Sequence, residues 1–426
     1  MMLKGIPLLI AAAAFLAGAC LGSGRASAVE IAVSCGSMGQ ELELCRQGAE
    51  AWAKQTGNSV RLVPTPESAT ERLAYYQQLL AGQAPDIDVY LLDVVWPGIL
   101  ASHFVDLKPY SKGQEKEHFP AIVDNNTVDG KLIAMPFFTD AGLLYYRRDL
   151  LEKYGLGVPE TWEDMTNAAK KIQAAERQAG HDRMWGFVFQ GRAYEGLTAN
   201  ALEWVDSFGG GTIVDAEGNV TVDNPQAAAA LKLAQSWIKD IAPEGVLNYS
   251  EEEARGVFQA GDAVFMRNWP YAWALTNGGD SPVRGKVGVA ALPRGGDKGK
   301  HTGVLGGWNL AVSRYSRHPE IAASLVMYLT GSAEQKRRAI VGAFNPTMPA
   351  LYQDADVLKA NPFLKSLYST FTDAVARPSR VTGEQYNRVS YAFWDAVHGV
   401  LAGQAEPEQA LSSLERDLKR LGRRGW

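Results

Sequence analysis

Cysteine is nearly absent from this chain: three residues in 426, with six histidines scattered between them. Neither type shows metal-ligand spacing, so a zinc or iron site is not expected. Positive charge is also in deficit, with 42 Lys and Arg against 47 Asp and Glu, a formal charge of -5. Nucleic acid is therefore excluded as the partner. Apolar runs of any length are confined to the first residues, so the rest of the chain offers no membrane-spanning segment. There is no internal repeat, low-complexity region or flexible linker. Phosphate-loop, dinucleotide-fingerprint, H-E-x-x-H and G-x-S-x-G motifs are all missing. That removes the chemistries these motifs serve. It does not remove a glycosidase, which needs only two carboxylates at a suitable separation.

What is present starts with an export signal. Lys4 supplies a positive region, an apolar run follows from Ile6 to Leu16, and Ala26-Ser27-Ala28 gives a small-x-small cleavage pattern. Cleavage after Ala28 leaves Val29 as the mature N-terminus; the competing reading is lipid attachment at Cys20, after Ala17-Gly18-Ala19. Either route delivers the protein outside the cytoplasm, and the first makes it periplasmic. Losing residues 1–28, which carry Lys4 and Arg25 and no acid, moves the formal charge from -5 to -7. Cys35 and Cys45 then remain in an oxidising compartment, either as a disulfide, contributing about 2–3 kcal/mol through loop entropy, or as two buried thiols.

The mature length suits two domains. Short apolar strands at 30–34, 60–63 and 87–92 alternate with helices over about 40–55 and around Leu73, Tyr76, Leu79 and Leu80. This spacing predicts a parallel, doubly wound sheet. A strand at 142–146 precedes a helix-rich stretch, where Thr161 to Asp164 resembles a capping box and Asn224-Pro225 starts another helix. Strands return at 286–291 and 308–312, and Leu411, Leu414, Leu418 and Leu421 mark an amphipathic helix at the end. Two domains without a linker imply that the chain crosses between them more than once, with a cleft between as the default site.

Aromatics are plentiful: eleven Trp, sixteen Tyr and fourteen Phe. Several sit beside Gly, Pro and charge, in Asp93-Val94-Val95-Trp96-Pro97, Arg267-Asn268-Trp269-Pro270-Tyr271-Ala272-Trp273 and Gly306-Gly307-Trp308. A sugar has an apolar C–H face that stacks on an indole. Its rim of hydroxyls suits carboxylates and the planar guanidinium. Trp near Asp and Arg at strand ends therefore makes a plausible sugar pocket. Each residue also has a plainer role open to it. The tryptophans could be core, Asp93 could cap the next helix, Asp140 could hold a turn, Arg377 could be a solvated charge, and Gly306-Gly307 could be only a tight turn.

These segments, with Asp140-Ala141-Gly142-Leu143-Leu144-Tyr145-Tyr146-Arg147-Arg148-Asp149-Leu150, Trp185 to Gly191, Tyr194-Glu195-Gly196-Leu197 and Gly285 to Ala290, carry a family resemblance along nearly the whole mature chain. The chain resembles the trehalose/maltose-binding proteins, within the carbohydrate-binding subunits of ABC importers (extracellular solute-binding protein family 1). The resemblance implies an α/β, two-lobed periplasmic binding protein fold of type II. Hinge crossings would lie near Asp140, near Gly303 and after Asn345. One lobe would hold 29–139 plus 304–345, the other 140–303 plus 346–426. It implies a monomer that binds an α-linked disaccharide such as trehalose, maltose or sucrose, needs no cofactor or metal, performs no catalysis and docks on inner-membrane permease subunits driven by a separate ATPase.

It also implies roles: Asp93, Asp140 and Glu43 accept sugar hydroxyls, Trp269 and Trp308 stack on the rings, the Gly307 backbone approaches a hydroxyl, and Arg377 and Arg72 donate from opposite lobes. Two departures bear on which sugar is held: Phe138 stands where the family carries Tyr, and Cys35 and Cys45 flank the Glu43 loop. The alternatives are the same fold with another solute, such as a glucosyl-glycerol or sugar derivative, and a secreted glycosidase using Asp93 or Asp140.

Overall fold

The computed structural model describes residue 1, residues 28–36 and residues 40–426. The export signal and Cys20 lie outside the described residues.

The chain opens with β1 (Glu30–Val33), β2 (Ser59–Leu62) and β3 (Val89–Asp93), separated by helices Glu41–Thr56 and Ala69–Ala81. Next come a small hairpin of β4 (Thr127–Val128) and β5 (Lys131–Leu132), then β6 (Met135–Ala141) and β7 (Leu143–Arg147). The remaining strands are β8 (Trp185–Val188), β9 (Ala263–Asn268), β10 (Val287–Ala291) and β11 (Leu305–Val312). They form two main sheets, one per lobe, in the orders β2-β1-β3-β11-β6 and β10-β7-β9-β8.

The first three strands are mutually parallel, as the alternation predicts. The sheet as a whole is mixed, which corrects the expectation of a parallel one. β11 arrives from late in the chain and inserts between β3 and β6, antiparallel to both. A returning strand enters from the opposite end, and local periodicity carries no information about that.

Only Gly142 separates β6 in the first sheet from β7 in the second. A methyl group there would collide with the Glu203 carboxylate, so the crossing requires glycine. Between β10 and β11 the chain returns, and Val304 bridges Val375 in parallel. Val375 N donates to Gly303 O at 2.9 Å and Leu305 N to Val375 O at 2.8 Å. Leu305 in turn pairs with Ala141. Three stretches of chain thus lie side by side at this crossing.

Local signals work as expected where they are strong. Thr161 and Asp164 form a reciprocal capping box at the start of helix Trp162–Gln178, and Asn224 caps helix Pro225–Trp237. The helix Pro407–Leu421 buries Leu411, Leu414 and Leu418. Most tryptophans are core. Trp162, Trp204 and Trp237 pack with Phe187 and Phe189 at centroid distances of 5.2 to 6.3 Å, each pair adding about 0.5–1.5 kcal/mol beyond burial. Among the described residues, no helix is long and apolar enough to cross a membrane.

Cys35 and Cys45 are joined as a disulfide, with Cα atoms 5.9 Å apart. The bond ties the segment after β1 to the second turn of helix Glu41–Thr56. Reducing it, or replacing both residues by serine, is expected to lower the melting temperature by roughly 5 °C. A calorimetric scan with and without reductant checks this.

Candidate functional site

Three neighbouring strands of the first sheet carry one wall of a cleft. In their register Trp308 of β11 faces Asp93 of β3 on one side and Phe138 of β6 on the other, and Gly306 faces Asp140. Asp93, Phe138, Asp140, Gly306, Gly307 and Trp308 all line the cleft. Gly307 has φ +117°, and a Cβ there would fall 2.4 Å from Phe138 O, beside a bulge between Trp308 and Asn309. Glycine is thus the residue that lets β11 come this close.

The opposite wall contributes Trp269, Tyr194, Glu195, Glu251 and Arg377. The walls touch, and the space left is about 50 Å³. Arg377 Nη2 donates to Asp93 Oδ1 at 2.9 Å and Nη1 to Glu195 Oε1 at 2.7 Å. Arg192 pairs with Glu71 at 2.6 Å, and Glu195 N donates to Thr70 Oγ1 at 3.1 Å. Asp93 also accepts from Val95 N at 3.2 Å, but the next helix, Pro97–Leu100, starts at Trp96 with no side-chain cap, so Asp93 does not cap it.

Both cleft indoles are braced by a cation. Arg267 lies 3.8 Å over the Trp269 ring, and Arg72 lies 4.6 Å over Trp308. Arg267 is itself clamped by Glu203, at 2.8 and 2.5 Å, with both side chains fully buried. The Trp269 Nε1 donates to Glu251 Oε1 at 3.2 Å. Each guanidinium thus covers one face of its indole.

Asp140 is the exception in a well-bonded cleft. Its carboxyl, 7% exposed, has no hydrogen-bond or ion-pair partner among the described residues. Burial, then the Glu41 charge, push its pKa up to about 8 against the pull of Arg267 and Arg338. Burial also raises the Glu195 carboxyl, with Arg377 pulling it down. Six carboxylates line the cleft against one guanidinium, which suits a ligand rich in hydroxyl donors. Among the described residues no His, Cys, Asp and Glu group could hold a metal.

Two expected site residues are placed elsewhere. Glu43 is exposed and bonded to Arg46, at 2.9 and 2.5 Å, and to Gln47 at 2.6 Å. Glu41 lines the cleft instead, 1% exposed. Two residues along a helix is a turn of about 200°, so these side chains point apart. The signal was available: Glu41 is in phase with Leu44, Cys45, Gly48 and Trp52, the buried face of its helix. Arg72 is buried, donating to Pro66 O at 2.9 Å, and does not line the cleft itself but lies 4.6 Å over the Trp308 ring. Glu41→Gln is expected to weaken ligand binding about tenfold, the value of one charged hydrogen bond, while Glu43→Gln leaves it unchanged. Calorimetric titration of the two variants separates them.

Sequence reasoning also passed over Glu67, Tyr194, Glu195, Glu251, Tyr271 and Phe344 as lining residues. Glu195 belongs to the Tyr-Glu-Gly motif noted above, and it opens a helix, Glu195–Ser207, buried along its whole length. Glu251 sits in the run Glu251-Glu252-Glu253, which reads as an ordinary acidic first turn. Nothing in its sequence marks the inward member.

Residues 40–336 match the family model of the bacterial extracellular solute-binding proteins. Over 404 residues the chain is 55% identical to a probable ABC transporter-binding protein of Deinococcus radiodurans, covering 94% of this chain and 96% of that one. It is 22% identical over 352 residues to the maltodextrin-binding protein MdxE of Bacillus subtilis, covering 80% and 79%. The structure superimposes on the maltose-bound MalE3 of T. maritima with a TM-score of 0.87 and 41% identity, over 92% of this chain and 100% of that one. The chain belongs to the bacterial extracellular solute-binding protein family, and is a binding protein rather than an enzyme.

Proposed function

We propose that this chain is the substrate-binding protein of an ABC sugar transporter, and that its cleft takes an α-linked disaccharide of the trehalose, maltose or sucrose type. The observation that carries this reading is the pairing of Trp269 and Trp308 across a carboxylate-lined cleft in which Asp140 has no protein partner. Two indole faces suit two sugar rings, and the carboxylates suit their hydroxyls. The likeness to a maltose-bound structure at 41% identity supports the same class of ligand.

The mechanism is hinge closure. The lobes, 29–139 plus 304–345 and 140–303 plus 346–426, turn about crossings near Asp140, near Gly303 and after Asn345, and ligand contacts from both favour the closed form. Arg377 then exchanges part of its bonding with Asp93 and Glu195 for sugar hydroxyls. The closed monomer docks on the permease in the inner membrane. The family is extracellular, which places the chain outside the cytoplasm; the periplasm after signal cleavage is the specific location proposed. A disaccharide of roughly 23 non-hydrogen atoms at about -0.35 kcal/mol per atom gives Kd on the order of 1 μM.

Tryptophan fluorescence of the purified mature protein, titrated with trehalose, maltose and sucrose, tests the reading. A saturable change near micromolar concentration with one of them identifies the sugar. A flat response to all three from folded protein overturns the disaccharide assignment and points to another solute, such as a glucosyl-glycerol or sugar derivative.

A further inference from the structure

Behind the cleft wall lies a buried cation whose bonding is incomplete. Arg338, on helix Ser332–Gly342, is 1% exposed. Side chains of this helix reach the edge strand β6. Gln335 Nε2 donates to Pro136 O at 3.3 Å and Arg338 Nη1 to Phe137 O at 3.2 Å. The Arg338 Nε and Nη2 atoms are buried with no partner among the described residues. The guanidinium is instead packed against rings, 3.4 Å from the centroid of Phe137 and 5.0 Å from those of Phe138 and Phe344. Phe138 and Phe344 form part of the cleft wall, so one layer of aromatic side chain separates the cation from the ligand space.

Removing a charge from water without a paired acid is strongly unfavourable. Hydrophobic contact with three phenylalanines would be served better by Met or Leu. A cation kept here needs a reason, and the reason lies on β6. Asp140 is two residues from Phe138, hence on the same face of the strand, and it is the buried carboxyl without a partner.

The charged groups facing Asp140 are Glu41, Asp93, Arg267 and Arg338. Arg267 is taken up by Glu203 and Asp93 by Arg377. Those facing Arg338 are Glu41, Glu334, Arg337 and Asp140. Glu334 is paired with Arg337 at 2.8 Å. Glu41, which lines the cleft beside Asp140, acts on both groups, so Arg338 faces two cleft carboxyls, Glu41 and Asp140, and makes no direct bond to Asp140 across the Phe138 layer.

We propose that Arg338 is a positioning residue for ligand capture: a buried counter-charge that lets Asp140 ionise and accept hydroxyl bonds when the ligand enters, without occupying the carboxylate itself. A direct salt bridge would satisfy Asp140 and compete with the ligand. A cation one layer away stabilises the charge and leaves both oxygens open. Burial pushes Arg338 down to about 9 and Asp140 up to about 8, as expected of two charges held apart in a dry wall. The proposal rests on the reading that Asp140 contacts the ligand.

The test compares the wild-type mature protein with Arg338→Met and Arg338→Lys. One readout needs no ligand: the pH titration of the Asp140 carboxyl, followed by carbon NMR and assigned with Asp140→Asn. Its midpoint is expected to rise by about one pH unit in Arg338→Met and to stay near the wild-type value in Arg338→Lys. The second readout is sugar affinity from pH 6 to 9. Arg338→Met is expected to bind about tenfold more weakly at pH 7 and to recover at higher pH, because the higher midpoint leaves about a tenth as much ionised carboxyl. A folded Met variant with an unmoved Asp140 midpoint overturns the proposal; should that variant not fold, Arg338→Gln takes its place. If the midpoint moves while no sugar binds the wild type, the electrostatic role stands and the disaccharide reading fails.

Discussion

Replacing Asp140 by asparagine is expected to abolish most sugar affinity while making the unliganded protein more stable. The carboxylate accepts hydroxyls in charge-assisted bonds worth about 1.5–3 kcal/mol each. Losing two of them weakens binding on the order of 100-fold. The gain in stability follows from linkage. Asp140 titrates at about 8 in the folded protein, because burial and Glu41 disfavour its charge, against about 3.9 in an unfolded chain.

Between these values the folded state holds a proton that the unfolded state has released. Stability is therefore unpenalised below about pH 4, falls as pH rises toward 8, and levels off above. Asparagine carries no such penalty. The melting-temperature gap between variant and wild type should be near zero at pH 4, widen through pH 6 and 7, and reach an equivalent on the order of 5 kcal/mol by pH 8. A gap that stays constant with pH would show that Asp140 is not held protonated. The same titration predicts that wild-type affinity rises with pH, by about tenfold between pH 6.5 and 8, since the ligand selects the ionised form.

The second large effect concerns the brace under Trp269. Arg267 and Glu203 form a bidentate pair with no exposure on either side, and Glu203 also accepts from Val304 N at 3.1 Å, at the passage between lobes. Arg267→Met leaves Glu203 as a buried carboxylate without its cation, an arrangement that costs about 3–5 kcal/mol. Its unfolding midpoint should drop accordingly in a denaturant titration.

Adding Glu203→Gln neutralises the stranded acid and keeps an acceptor for Val304. Most of the lost stability is then expected to return. Sugar affinity is not, because the cation 3.8 Å over the Trp269 ring is still missing and Gln190 Oε1 keeps only its bond from Asn200. A double variant that regains both would make the pair purely structural. One that regains stability alone separates the fold's use of Arg267 from the cleft's use of it.

Much of this organisation is legible in the sequence. The capping residues Thr161 and Asn224, the first parallel strands and the terminal leucine stripe each rest on interactions within a few residues, which is the range that sequence patterns describe. Asp93, Asp140, Trp269, Gly307, Trp308 and Arg377 were singled out by composition and family likeness, and the fold brings all six to one cleft. Glu43 was not brought there, because a two-residue error on a helix is an error of half a turn.

By itself the sequence determined the class of the protein, the local elements and a short list of polar and aromatic residues suited to a sugar. Only the tertiary structure decided that β11 inserts antiparallel into the first sheet, that Glu41 faces the cleft and Glu43 faces solvent, and that Arg377 spans Asp93 and Glu195. It alone decided that Asp140 is left without a partner and that Arg338 lies behind it. Charge and burial are properties of distance, and residues 140 and 338 become neighbours only when side chains of a helix from late in the chain reach β6.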